Sequence, residues 1–299
     1  MTRADVRDTR SGLDPLGPTG TAVCAFAVCP TSSFAGAPRG SLADLGHVRG
    51  GPVTLLTLDQ GLSVLVQEVP SAEFTQEALT RRLSDRAELE SCARAHHATV
   101  VAAAAQGPVV PLPLATLFSD PKRARALLVE KMPHFHAVLA HVENRSEWAV
   151  KVCQLRCGPR PPSPSSDPSD GPEGTGTGLA YLDRVRTRER DRLTRHAAAA
   201  TAVGHVHQVL ARLAVDHVRR HRHGQEITGR DHHQLLNAAY LVPRERTNDF
   251  QVAVGTLVGE LTGTGVHVEV SGPWVPYSFA GPTERVGTEG VQPSAPGTT

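Results

Sequence analysis

Histidine is the first side chain here that could carry chemistry, because the sequence has 15 of them. The pattern predicts a helix on which His217 and His221 lie one turn apart, a spacing that can hold a metal ion, with His223 just beyond. The intervening residues lack the glutamate of a zinc protease motif, and the helix dipole alone favours cations near a helix C-terminus. The other neighbouring histidines point to different faces: His205 and His207, His96 and His97, His232 and His233. We expect solvated or capping histidines and no metal site.

Cysteine is the second candidate, in the pairs Cys24/Cys29 and Cys153/Cys157 on predicted strands. A zinc site normally takes closer spacing on turns, and the five-residue spacing of Cys24 and Cys29 points their side chains to opposite faces of a strand. The odd total of five and the absence of an export signal favour reduced thiols over disulfides. We expect buried free thiols.

A run of arginines resembles a phosphate-binding surface, but acidic residues are interleaved with it. Such a mixture is typical of a solvated helix face, and 31 Lys plus Arg against 30 Asp plus Glu create no global basic field. The arginines are Arg184, Arg186, Arg188, Arg190, Arg192 and Arg195, and the acids are Asp183, Glu189 and Asp191. We therefore expect no nucleic-acid partner.

Motifs of the common enzyme classes are missing from the sequence. No glycine-rich phosphate loop follows a predicted strand, and there is no Gly-x-Ser-x-Gly elbow. We expect no catalytic residue, no cofactor and no enzymatic activity. No apolar run approaches bilayer length, and no signal-peptide pattern occurs at the N-terminus, so we also expect a soluble, cytoplasmic protein without a membrane partner.

Three segments rich in Pro, Gly, Ser and charge divide the 299 residues. They lack the large apolar side chains that would offset the entropy of ordering. We predict a disordered leader (1–20), an N-terminal domain (21–157), a linker (158–178), a C-terminal domain (179–281) and a disordered tail (282–299).

The N-terminal domain is predicted to be α+β. A short strand is followed by a hairpin over 52–69, with a turn at Asp59-Gln60-Gly61, and then by one helix from Thr75 to Gly107. An extended edge at 109–118 precedes a helix that Asp120 and Pro121 start and that Pro133 kinks or splits. The strand "EWAVKVCQL" closes the sheet, giving a ferredoxin-like content with helices on one face.

The C-terminal domain is also predicted to be α+β, with one long helix and a small sheet. The helix runs from about Leu179 to His221. A strand over 235–243 contains Tyr240, an amphipathic helix contains Phe250, and the alternating run "VHVEVSGPW" completes the sheet. The apolar residues at helical spacing are expected to form core rather than a binding groove.

The stretch "GPWVPYSF" stands out in a chain that is 4% aromatic. Together with "GLAYLDR", which contains Tyr181, and "LNAAYLVPRERTNDFQVAVGTL", it resembles the C-terminal half of the gas vesicle GvpF/GvpL family, and "VVPLPLATLFSD" and "WAVKV" fit the N-terminal half. Pro273 and Pro276 fix an extended course at little entropic cost, so we expect Trp274, Tyr277 and Phe279 to pin this segment across the C-terminal domain or against the N-terminal one.

The resemblance implies a non-catalytic accessory protein of gas vesicle assembly. Such a protein contacts the hydrophobic shell protein and fellow accessory proteins, either transiently or as a minor component of the shell. One departure stands at residues 113–115, where Pro-Leu-Ala replaces the family's typical Arg-Phe-Gly. The alternative is a small-molecule or metal-binding module of the same fold that has lost the assembly role.

Overall fold

The computed structural model describes residues 20–35, 42, 45, 46, 50–155, 177–220 and 232–281. It divides into two compact units. Unit 1 contains residues up to Ser146 together with Trp274–Gly281, and unit 2 contains Glu147–Pro273. The predicted leader, linker and tail lie almost wholly outside the described residues.

Unit 1 is built on a four-stranded sheet in the order β2-β3-β1-β4, with antiparallel pairing throughout. The strands are β1 (Thr21–Pro30), β2 (Val53–Thr57), β3 (Leu62–Pro70) and β4 (Val110–Phe118). The predicted β2-β3 hairpin is confirmed. Its turn has positive φ at both Gln60 (54°) and Gly61 (76°), the type I′ geometry that matches strand twist.

A β-bulge in β1 corrects the expectation for its cysteines. The pairing register of β1 shifts between Ala25 and Ala27, which turns the rest of the strand by one residue. Cys24 and Cys29 therefore belong to the same apolar cluster instead of pointing to opposite faces. Burial raises the pKa of each thiol to about 12, so both are poor nucleophiles.

Four helices complete the described part of unit 1: α1 (Gln76–Ser84), α2 (Arg86–Ala104), α3 (Pro121–Val129) and α4 (Met132–Val142). The single helix predicted from Thr75 to Gly107 is in fact two, because Asp85 is extended and its carboxylate caps α2 by accepting from two backbone N–H groups. Asp120 caps α3 as predicted, and the backbone N–H of Arg123 lowers the pKa of that carboxyl. The split near Pro133 is also confirmed.

The sheet of unit 1 is covered on both faces, whereas the sequence predicts helices on one. Every residue from Ala22 to Cys29 is at most 2% exposed. One face carries a cluster that includes Phe26, Leu65 and α2 residue Val100. The buried residues of α3 and α4 lie outside that cluster, and α3 contacts both β2 and β4.

Unit 2 has a second four-stranded sheet, in the order β6-β7-β5-β8, and two helices within its described residues. Its elements are β5 (Arg145–Leu155), α5 (Thr177–Ala211), β6 (Asp216–Arg219), β7 (His232–Pro243), α6 (Thr247–Leu261) and β8 (Val266–Trp274). Both helices contribute to one core with alternate residues of β5, β7 and β8. The prediction of an α+β fold with two domains is confirmed.

Two elements of unit 2 differ from the sequence prediction. The strand expected to close the N-terminal sheet is β5, and it lies in the second sheet because Trp148, Val150 and Val152 pack into the unit 2 core. The long helix ends at Ala211 rather than His221. Residues 216–219 instead pair with β7, since edge pairing outweighs the weak helical periodicity there.

Candidate interaction site

The candidate site follows directly after Gly272 and Pro273, which lie near the end of β8. A cis peptide bond joins these two residues. Gly272 has φ of +148°, and a Cβ there would lie 3.0 Å from both the Glu147 carbonyl oxygen and the Trp148 ring. Only glycine fits this close approach without displacing backbone. The chain is thereby fixed just before the aromatic residues begin.

Residues 274–281, here called the aromatic clasp, belong to unit 1 although they follow unit 2 in the chain. Val275 is 9% exposed and joins the apolar cluster of β1 and α2. Pro276 is buried as well and precedes a single 3-10 turn over Tyr277–Phe279. The sequence places these residues in the C-terminal domain (179–281), whereas their packing places them in unit 1, because Val275 is buried among β1 and α2 residues.

The second half of the clasp is anchored on α4. Phe279 and Ala280 are buried, and the Phe279 ring lies 6.4 Å from that of His141. His134 Nε2 lies 3.3 Å from the Ala280 carbonyl oxygen, which accepts the bond. This half is therefore held by both packing and hydrogen bonding.

The first half of the clasp lies against α2 and is partly open to solvent. The His97 ring lies 6.2 Å from the Trp274 ring and 5.9 Å from the Tyr277 ring, and His97 Nδ1 is 3.2 Å from the Tyr277 hydroxyl. Trp274 is 45% exposed and Tyr277 37%. Val101, one turn after His97 on α2, is 43% exposed. We call His97, Trp274, Tyr277 and Val101 the aromatic patch; Val101 is included because residues four apart on a helix lie on the same face.

Two of the other predicted candidates are core residues of unit 2. Tyr240 and Phe250 are fully buried with ring centroids 6.1 Å apart. The Tyr240 hydroxyl is 2.8 Å from His207 Nδ1, and the rings of His207 and His217 are 4.7 Å apart. Burial lowers the pKa of His207, and the neighbouring His217 lowers it further. His217 lies on β6, not on a helix with His221, which is outside the described residues.

Tyr181 lies in α5, but its side chain is outside the described residues. Pro273 is exposed, unlike Pro276. Sequence reasoning missed the partners of the clasp, His97, His134 and His141. They lie 138 to 180 residues before their partners, and no local pattern signals a contact over such a separation.

The described residues contain no group of three or more His, Cys, Asp or Glu side chains arranged to hold a metal ion. Over the same residues, the helices are all too short or too polar to cross a bilayer. What the site offers is a half-exposed aromatic surface fixed by its buried neighbours, which is suited to binding.

Residues 113–115, where the sequence departs from Arg-Phe-Gly, lie in β4. Ala115 has φ of 62°, a left-handed conformation that favours glycine. The hydroxyl of Thr116 donates to the Pro113 carbonyl at 2.7 Å and closes this kink. The backbone thus keeps a conformation suited to glycine although alanine occupies the position.

Comparisons with known proteins agree on one family. The family model described as "Gas vesicle synthesis protein GvpL/GvpF" matches residues 22–281. Gas vesicle protein L of Streptomyces sp. (strain CB03234) is 31% identical over 249 residues, which cover 82% of this chain and 90% of that protein. Gas vesicle protein F of Haloferax mediterranei is 42% identical over a shorter match of 45 residues, 15% of this chain and 21% of that protein.

Two crystal structures share the fold. GvpF from Anabaena sp. PCC7120 superimposes with a TM-score of 0.59 at 15% identity, over 88% of this chain and 98% of that one. GvpF from Microcystis aeruginosa gives a TM-score of 0.56 at 16% identity, over 87% and 99%.

Proposed function

Because this chain belongs to the gas vesicle synthesis protein GvpL/GvpF family, we propose that it is a non-catalytic accessory protein of gas vesicle formation. It acts in the cytoplasm, where it binds the hydrophobic shell protein and other accessory proteins while vesicles nucleate and grow. The family supplies the context of assembly. The structural observation that carries the binding role is the aromatic patch.

The aromatic patch has the properties of a protein-binding hot spot. Trp and Tyr are enriched in such spots because they bring a large apolar area with few rotatable bonds. Here Val275 and Phe279 are buried on either side of Tyr277, so little conformational entropy remains to be lost on binding. An apolar face on a shell subunit would cover Trp274 and Val101 together.

The absence of catalysis is supported by the state of the buried thiols and by the composition of the patch. Cys24 and Cys29 remain protonated near neutral pH because burial raises their pKa values to about 12. Among the described residues, His97 contacts two aromatic rings and no carboxylate, so it lacks the orienting acid of a hydrolytic triad.

Co-purification with the shell protein tests the binding role. The wild-type chain and the variants Trp274→Ala and Val101→Ser would each be co-expressed with shell protein carrying an affinity tag. We expect both variants to be recovered in clearly smaller amounts at equal expression. Val252→Ser is the matched control, because Val252 is 61% exposed on α6 and belongs to unit 2, whereas the patch residues belong to unit 1.

Recovery of both patch variants at the wild-type level would show that the aromatic patch is not the binding surface. Deletion of the gene in its own host tests the wider role. We expect fewer or no vesicles by electron microscopy, restored by a plasmid copy, and unchanged vesicle numbers would contradict the accessory role.

A further inference from the structure

The first half of α5 is not covered by any other described part of the chain. From Leu182 to Ala198, every side chain that the structure describes is exposed, and the first buried side chain is that of Ala199. Leu182 is 50% exposed, Val185 42% and Leu193 62%. Three large aliphatic side chains on one solvated helix segment are more than an ordinary surface helix carries.

These three side chains form a stripe along one face of the helix. At 100° per residue, Val185 and Leu193 lie within about 60° of Leu182, and Glu189 falls between them. The stripe follows a seven-residue repeat, which shifts around a straight helix by about 20° per repeat. With that shift it continues into the buried residues Ala199, Val206 and Leu210. The same helix face is therefore core in its second half and open in its first. The open part is called the α5 stripe below.

Arginines flank the α5 stripe on both sides. Arg186 and Arg190 lie on one side of it, and Arg188 and Arg192 lie on the other. All four are exposed. The acidic Asp183 lies beyond the first pair and Asp191 lies on the opposite face. The stripe thus has a basic rim, which matches the layout of a coiled-coil seam with charged flanking positions.

We propose that the α5 stripe docks an amphipathic helix of another protein, with an apolar seam flanked by Asp and Glu. The proposal deepens, and rests on, the accessory role, since it names the chemistry of one partner in assembly. Charge complementarity decides the occupant, because a second copy of this chain would bring arginines against arginines. A lipid surface is disfavoured because a hydrocarbon layer offers no hydrogen-bond donor to the Glu189 carboxylate within the stripe, whereas a protein helix can place a polar side chain opposite it.

Peptide binding to the full chain tests the proposal. The probe is a fluorescein-labelled helical peptide of about 21 residues with a leucine seam and Glu at the flanking positions. Its control has the same seam with Lys flanks. By fluorescence anisotropy, we expect the Glu peptide to bind at least about ten-fold more tightly at low salt, with the difference shrinking as salt is raised.

Three variants locate the binding. Leu193→Asp should lower the affinity for the Glu peptide by at least about ten-fold, because it places a charge in the apolar seam. The double variant Arg186→Glu, Arg190→Glu should reverse the preference toward the Lys peptide. Val252 on α6 is as exposed as Leu193, and Val252→Asp should change neither the affinity for the Glu peptide nor the preference for it over the Lys peptide. Unchanged circular dichroism of all three would confirm that the fold is intact.

Equal binding of the two peptides, or no effect of Leu193→Asp, would overturn the proposal. Binding to phosphatidylglycerol vesicles that Leu193→Asp abolishes, without peptide binding, would assign the stripe to membranes. A dimer in sedimentation that Leu193→Asp dissociates would assign it to a second copy. If gene deletion removes vesicles but the Leu193→Asp gene restores them fully, the docking inference fails while the accessory role stands.

Discussion

Phe279→Ala should destabilise unit 1, even though Phe279 follows all of unit 2 in the chain. The Phe279 side chain is only 7% exposed and lies against His141 of α4. Removing a buried phenylalanine ring typically costs about 3 to 5 kcal/mol through lost burial and the remaining cavity. A unit of this size unfolds with an m-value of about 2 kcal/mol per molar urea, so we expect its midpoint to fall by about 1.5 to 2.5 M.

The two tryptophans of the chain allow each unit to be followed separately. Trp274 lies in unit 1 and Trp148 in unit 2. In a Trp148→Phe background, fluorescence reports the clasp, and in a Trp274→Phe background it reports the unit 2 core. We expect Phe279→Ala to lower the urea midpoint in the first background and to leave it nearly unchanged in the second.

Tyr277→Ala is the matched control, because Tyr277 lies two residues away but is 37% exposed. It should cost only about 1 to 2 kcal/mol, in proportion to the smaller buried area. An equal shift in both backgrounds would show that Phe279 does not act on unit 1 alone. A cost for Phe279→Ala no larger than that for Tyr277→Ala would refute its role as the anchor of the clasp.

Three further predictions concern the backbone and buried charges. Ala115→Gly should stabilise the fold by about 0.5 to 1 kcal/mol, because relief of the left-handed strain exceeds the added chain entropy. The melting midpoint should rise by about 2 to 4 °C. The control Ala98→Gly, at an exposed position of helix α2, should lower the midpoint instead. The pKa of His207 is lowered in the folded state, so the unfolded chain binds a proton at this imidazole more readily. The free energy of unfolding should therefore be highest above about pH 6.5 and fall as the pH drops below that value. In urea titrations at several pH values, His207→Gln should reduce this fall. Arg220→Met leaves the buried Glu147 carboxylate without its ion pair and should cost about 3 kcal/mol by calorimetry, most of it recovered by adding Glu147→Gln.

Local patterns predicted most elements of the fold. The β2-β3 hairpin, the Asp120 cap and the split near Pro133 each depend on residues within a few positions of one another. The end of α5 at Ala211 did not follow from its pattern. The helix ends there because residues 216–219 pair as β6 with β7, a strand that begins more than ten residues later in the chain.

Long-range pairing also explains what the sequence could not predict of the candidate site. The composition of the stretch "GPWVPYSF" marked it as unusual, but its destination depends on His97, His134 and His141, which resemble any surface histidines of a helix. The assignment of β5 to the second sheet has the same cause. The proline-rich segment after it suggests a boundary there, whereas the units divide before it, at Ser146.

The return of the clasp to unit 1 has a consequence for the order of events on the ribosome. The body of unit 1 is synthesised by residue 146, but Val275 and Phe279 emerge only after all of unit 2 has been made. At about 5 to 20 residues per second, the N-terminal unit waits roughly 7 to 27 seconds for its last piece. During that interval its apolar cluster lacks Val275, and a chaperone or a nascent neighbour has its best chance to bind there.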